Sequence, residues 1–255
     1  MARSSAIHGV GVLMTDLDIK LYQAISDANE PRVFDMWHAS NIADRPRAHY
    51  MKRLGVKPVS IPSAAKMLRW QAGHLIEEVI RPHLKTLYPN LISNKRVTSK
   101  EWDLTGEYDN YDPDSKTLIE IKSVGPRAVK YRKKEDTRYH LRDEQPYPAH
   151  VLQNHAYALL IEDMISSEDK VEQITFIYIT LEGLIVPYTV PVSEDNLNHV
   201  KDRLNLLNAS WSVKEPPICI CQPDQPLYKS LHQFCDYKQE DNCCDIKLTK
   251  GVEGE

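Results

Sequence analysis

Apolar positions along this chain fall into two kinds of pattern, one with helical spacing and one that alternates or runs together. Helical spacing appears first over residues 16–30, with Thr15 or Asp16 placed to open the helix. It returns after Ser63, in SAAKMLRWQAGHLIEEVI, where Leu68, Ala72, Leu75 and Val79 share one stripe. The pattern predicts a helix that turns this stripe to a core and kinks or ends at Pro82. Pro148 opens a third helical pattern, AHVLQNHAYALLIEDM, and Ser193 a fourth, EDNLNHVKDRLNLLNAS. Strand patterns occupy Val97–Leu104 and Thr117–Lys122, with Asn110, Asp112, Pro113, Asp114 and Ser115 supplying a turn between them. Two β-rich runs, ITFIYITL and LIVPYTV, follow and join around Glu182 and Gly183.

Helices, a hairpin, a helix, a strand pair and a last helix make an α/β order. It predicts a mixed β-sheet flanked by helices. The expected division is an N-terminal helical region over 1–62, a core over 63–212 and a Cys-rich appendage over 213–255. At 255 residues, one large domain with insertions accommodates this. No apolar run approaches the ~20 residues of a membrane span, and the N-terminal stretch lacks the pattern of a signal peptide.

Net charge is −4, which excludes a protein that is basic throughout. The distribution is uneven. From Lys122 to Arg142 there are eight Lys/Arg against two acids. Arg127, Lys130, Arg132, Lys133, Lys134 and Arg138 are therefore candidates for phosphate contact, with Tyr131 and Tyr139 for stacking on bases.

The candidate chemistry lies just before that stretch. On a strand, side chains alternate, so Glu120 and Lys122 point one way and Ile121 the other, into the core. An antiparallel partner strand would fold Asp109 onto the Glu120 face. Two neighbouring carboxylates are costly unless a cation neutralises them, and hard oxygen ligands suit Mg²⁺ or Mn²⁺. Lys122 then stands where it can orient water or stabilise a phosphoryl transition state. Gly106 is expected to let the backbone bend near the site. On the Ser63 helix, Met67, Gln71, His74, Glu78 and Arg81 share a flank away from the apolar stripe. On the Pro148 helix, Gln153 and Tyr157 are one turn apart and face one way.

Gly73-His74, Gly106-Glu107-Tyr108-Asp109, Glu120-Ile121-Lys122 and Gln153-Asn154-His155-Ala156-Tyr157 together resemble the PD-(D/E)xK nuclease superfamily. More narrowly they resemble its RecB-type exonuclease branch, over roughly residues 35–245. The resemblance implies a restriction-endonuclease-like core. It implies metal ligands at His74, Asp109 and Glu120 with the backbone carbonyl of Ile121, a catalytic lysine at Lys122, and DNA-positioning roles for Gln153 and Tyr157.

Many members of that branch carry an iron–sulfur cluster held by one early Cys and three late ones. Here Arg45 stands in the early position, and all five cysteines lie between Cys219 and Cys244. Cys219, Cys221, His232, Cys235, Cys243 and Cys244 remain candidate ligands for Zn²⁺ or for a cluster of different ligation. Packing without any metal is the favoured expectation. Clustered cysteines point to a reducing compartment, the cytoplasm of a bacterium or of a phage-infected cell. The reading that follows is a Mg²⁺- or Mn²⁺-dependent deoxyribonuclease. It is expected to act as an exonuclease on DNA ends or single strands, in recombination, repair or phage DNA processing. The alternatives are a structure-selective or restriction-type endonuclease and a non-catalytic recombination accessory protein. No helicase P-loop is present, so unwinding would fall to a helicase or recombinase partner.

Overall fold

A computed structural model describes residues 34–56, 64–131, 139–164 and 170–218, with the isolated positions 20 and 24. The expected helix over 16–30 and the cysteine segment with its six candidate ligands lie outside the described residues.

The chain forms β1 (Trp37–His38), α1 (Pro46–Arg53), α2 (Ala64–Leu87), β2 (Ile92–Ser99), β3 (Leu104–Asp112) and β4 (Thr117–Val124). It continues with β5 (Val129–Tyr131), β6 (Tyr139–Leu141), α3 (Pro148–Met164), β7 (Gln173–Thr180), β8 (Ile185–Pro191) and α4 (Glu194–Ser212). Six strands make one mixed sheet in the order β1-β3-β4-β7-β8, with β2 on β3, and β5 and β6 pair separately. The α/β architecture expected from the pattern, a mixed sheet flanked by helices, is the one observed. Among the described residues no helix is long and apolar enough to cross a membrane.

The β4 and β7 strands are parallel neighbours, with Glu120 opposite Phe176 and Lys122 opposite Tyr178. Both faces of β4 are covered. Ile119 and Ile121 pack with Ile179, Leu84, Ile76 and Ile80, so α2 covers that face. Leu118 packs with the α3 residues Ala156, Leu160 and Ile161 in the larger core on the other face. That core also takes in Trp37, Ile42 and Tyr50, so residues 34–56 share it. Ser193 caps α4 by accepting from the Asn196 N–H, with Glu194 and Asp195 in the first turn to favour its positive end.

Two elements differ from expectation. The hairpin strand does not run Val97–Leu104. Those residues span the end of β2, a reversal and the start of β3, and β3 itself reaches Asp112. Asn110 and Asp112 are therefore strand residues. Asp112 Oδ2 accepts from the Ser115 N–H at 3.1 Å and closes the turn. The α2 helix also presents a different face. Leu68, Leu75 and Val79 of the expected core stripe are 48%, 62% and 65% exposed, while Ile76, Ile80 and Leu84 pack inward. This helix is apolar on two faces, and the sheet covers the one that meets Ile119, Ile121 and Ile179. That burial continues past Pro82 and carries the helix on to Leu87.

Candidate active site

One edge of β3 is occupied by β2 from Leu104 to Tyr111, with Asp109 left out of the ladder. The other edge is shared: β4 pairs with it only at Asn110–Asp112, and β1 only at Leu104–Thr105. Between them β3 and β4 part, and Asp109 and Glu120 are the first residues of the fork. Asp109 turns its carboxylate into the gap, where Oδ2 accepts from the Ile121 N–H at 3.2 Å. Asn94, which would face Asp109 from β2, has a φ of 51° and is skipped in the ladder. Both outer strands thus lose regular pairing at the fork.

Glu120 is 1% exposed and ion-paired with Lys122 two residues on. The alternation expected for Glu120, Ile121 and Lys122 is observed, with Ile121 fully buried on the α2 side. Tyr157 on α3 is buried, and its hydroxyl accepts from Gln153 Nε2 at 3.3 Å. An added Cβ at Gly106 would lie 2.6 Å from the Tyr157 ring and 2.9 Å from Ala39. Gly106 is therefore needed for close approach of α3, rather than for the expected bend. Gly73 has a similar task, since a Cβ there would meet Ser123 Oγ at 2.9 Å where α2 crosses β4.

The electrostatics of the fork are strained. Burial pushes the Asp109 carboxyl well above the usual range, the Glu120 charge adds to this, and Lys122 offsets part of it. Burial disfavours the Lys122 ammonium, but Glu120 and Asp109 outweigh that and raise its pKa. Burial and then Glu120 likewise push the Tyr157 phenol up. Apart from its pairing with Lys122, the buried Glu120 Oε1 has no hydrogen-bond partner. A divalent cation fits this donor set, because it would neutralise two opposed carboxylates that one lysine does not satisfy.

The fork opens into a cleft of about 1210 Å³, whose lining includes Asp109, Tyr157, His74, Glu77, Arg81 and Arg96. The structure brings Asp109, Glu120 and Lys122 together, with Gln153 and Tyr157 beside them. It does not bring His74 to them. That side chain is 76% exposed, with Nδ1 3.6 Å from Glu77 Oε2. Among the described residues no three His, Cys, Asp or Glu side chains are grouped to hold a metal. Glu77 is the residue the sequence reading passed over. Its charge raises the Asp109 pKa, and it lines the same cleft. The signal was present, since Glu77 stands at i+3 from His74 and at i−4 from Arg81.

Of the basic stretch, Arg127 and Lys130 are described, while Arg132, Lys133, Lys134 and Arg138 lie outside the described residues. Lys130 pairs with Glu144 at 2.9 Å. The Arg127 carbonyl accepts from Arg142 Nε. Neither side chain lines the cleft.

No family model and no curated protein matches this chain. Among solved structures, the protein SSO0001 is 14% identical, with a TM-score of 0.46 over 87% of this chain and 94% of that one. An alkaline exonuclease from Laribacter hongkongensis is 10% identical, with a TM-score of 0.46 over 75% of this chain and 93% of that one. A phage-related exonuclease from Haemophilus somnus is 14% identical, with a TM-score of 0.45 over 74% of this chain and 97% of that one. Likenesses this distant assign no residue a role here.

Proposed function

We propose that this chain is a metal-dependent deoxyribonuclease of the PD-(D/E)xK type, cutting DNA phosphodiester bonds as an exonuclease on ends or single strands. The observation that carries the reading is the strand fork. It sets the half-buried carboxylate of Asp109 opposite the buried one of Glu120, holds the Lys122 ammonium against Glu120, and opens at Asp109 and Tyr157 into a cleft.

Asp109 and Glu120 would hold Mg²⁺ or Mn²⁺, and Glu77 is a further carboxylate on the cleft wall whose charge acts on Asp109. When bound there, the ion would supply Lewis acidity and a more acidic water as nucleophile. The chain's own groups do the rest. Glu120 fixes Lys122 as a preorganised positive charge, where negative charge develops on the phosphate in the transition state. Gln153 holds the Tyr157 hydroxyl beside the carboxylates, and that buried phenol stays protonated as a hydrogen-bond donor. Arg127 and Lys130, with the basic residues that follow them, add salt-dependent grip on the DNA backbone.

The test is a cleavage assay with end-labelled single- and double-stranded DNA and with closed circular DNA. It is run with Mg²⁺ or Mn²⁺ and again with EDTA. Metal-dependent loss of linear DNA with circles left intact is expected, together with an inactive Glu120→Gln protein. Undiminished cleavage by Glu120→Gln would overturn the assignment, and cut circles would make the enzyme an endonuclease.

A further inference from the structure

The first turn of α3 is tied to β7 through one atom that the proposed chemistry leaves unused. Tyr178 lies opposite Lys122 on the neighbouring strand and is fully buried. Its hydroxyl accepts from the Tyr147 N–H at 3.1 Å and lies 3.2 Å from His150 Nδ1. The His150 ring stacks on Tyr178, with centroids 5.8 Å apart and planes at 26°, and Tyr147 packs edge-on against both. Tyr147 also begins the helix, since its carbonyl accepts from the N–H groups of His150 and Val151. Pro148, at the first helical position, gives up no backbone donor there.

We propose that Tyr178 and His150 are positioning residues for Lys122, and that the Tyr178 hydroxyl sets the α3 helix, with Gln153 and Tyr157, against the strand fork. This inference rests on the nuclease reading above.

With the Tyr147 N–H donating to it, the Tyr178 hydroxyl can give its own proton to His150 Nδ1 or accept a second hydrogen bond from it, so the contact holds with either tautomer of a neutral imidazole. Burial, and then the Lys122 charge, lower the His150 pKa to about 4, which agrees with a neutral ring. A neutral His150 adds no repulsion to the Lys122 ammonium, which Glu120 and Asp109 draw toward the fork. The groups facing this box are Tyr147 just before α3, Phe176 on β7, Tyr188 on β8, and Lys122 and Glu120 on β4. Gln153 and Tyr157 follow His150 on the same helix by one and two turns. A shift of the anchored end therefore moves them with it.

Tyr178→Phe deletes the hydroxyl and keeps the ring packing. In the wild type Lys122 is half-buried and ion-paired, while Lys85 on α2 is exposed. Metal-free protein is labelled with an amine-acylating reagent, and modification is read lysine by lysine. Lys122 labelling is expected to rise several-fold in Tyr178→Phe, with Lys85 unchanged. In the cleavage assay kcat is expected to fall about ten-fold, the scale of a small misplacement of reacting groups, with KM for DNA unchanged. His150→Gln, which retains a side-chain acceptor for the hydroxyl, should recover part of the kcat that His150→Ala loses. If Lys122 labelling and kcat are both unmoved in Tyr178→Phe while Lys122→Ala is inactive, this inference fails and the nuclease reading stands. A wild-type protein that cleaves no DNA overturns both. Equal gains in labelling at Lys85 and Lys122 would reduce Tyr178 to an ordinary core residue.

Discussion

Arg53 and Lys122 are both cations folded into this protein, and their surroundings differ in kind. Arg53 lies 4.3 Å from the ring centroids of both Trp37 and Trp211, which meet edge-on. Its Nη1 pairs with Asp103, and Nη2 donates to the Asp35 carbonyl at 2.5 Å. One carboxylate meets one guanidinium, which also lies within cation–π range of two indoles. Lys122 instead faces two carboxylates, one of them buried and the other pushed toward protonation. The first arrangement fastens α1 and α4 to the sheet. The second is short of positive charge in a place the cleft reaches. A buried charge cluster left unbalanced next to open space marks a site built to receive something, whereas a balanced one marks a joint.

The sharpest way to break the comparison is to remove the lysine and the arginine in turn. Lys122→Ala and Glu120→Gln should each lower kcat by about 10³-fold, the scale of losing a preorganised electrostatic group. Circular dichroism and urea unfolding should find both proteins folded. Arg53→Ala should do the reverse, costing about 3 kcal/mol in urea unfolding by leaving Asp103 and two indoles without their partner. The fraction that stays folded should cleave normally. A stable but inactive Arg53→Ala protein would erase the distinction.

The next test contrasts the two faces of α2. Ile80→Ala should cost about 2 kcal/mol through the cavity it leaves against the sheet. Val79→Lys, one residue away but 65% exposed, should change unfolding free energy by less than ~0.5 kcal/mol. A large loss from Val79→Lys would mean that the outer stripe is covered in solution.

A smaller effect follows from the fork itself. Without metal, the folded-state pKa of Asp109 is raised above its unfolded value. Between those two values the folded protein holds more protons, so this group's contribution to stability falls as pH rises through that window. Above it, ionised Asp109 is a net cost. Asp109→Asn should therefore stabilise the EDTA-treated protein at neutral pH by about 1 kcal/mol, with the gain vanishing below about pH 4. Saturating Mg²⁺ should shrink the gain by stabilising the wild type. Equal stability of the two proteins at pH 7 in EDTA would mean that Asp109 is less confined than its surroundings imply.

The smallest effect concerns cleft-wall residues. His74→Ala should leave stability within ~0.5 kcal/mol, given its exposure. Glu77→Gln should shift the metal concentration for half-maximal cleavage further than His74→Ala does, because Glu77 is the group that acts on Asp109. The opposite ranking would restore His74 as the third ligand.

How legible the site was depended on range. Glu120 and Lys122 could be placed on one face because a strand repeats every two residues, and Gln153 and Tyr157 because a helix returns after four. Those are local geometries that the backbone enforces wherever the segment ends up. Pairing Asp109 with Glu120 needed only a hairpin, and the Pro113–Ser115 turn supplied one. Glu77 was harder, since choosing between Glu77 and Glu78 requires knowing how α2 is rotated about its axis. The ends of β2 and β3 are not marked in the sequence, because the reversal at residues 100–103 carries no glycine or proline to announce it.

The sequence by itself determined the α2, α3 and α4 helices and the β4, β7 and β8 strands, and which polar side chains stand together on β4 and α3, because those relations are set within a few residues. Tertiary structure alone decided which apolar face of α2 is buried. Two faces had the composition for it, and only contact with Ile119, Ile121 and Ile179 selects between them. It also decided that β1, a strand of two residues, occupies the edge of β3 that β4 leaves free, opening the fork in which Asp109 meets the Ile121 amide. Neither outcome is written in local periodicity, because each depends on surfaces that become neighbours only when distant parts of the chain pack.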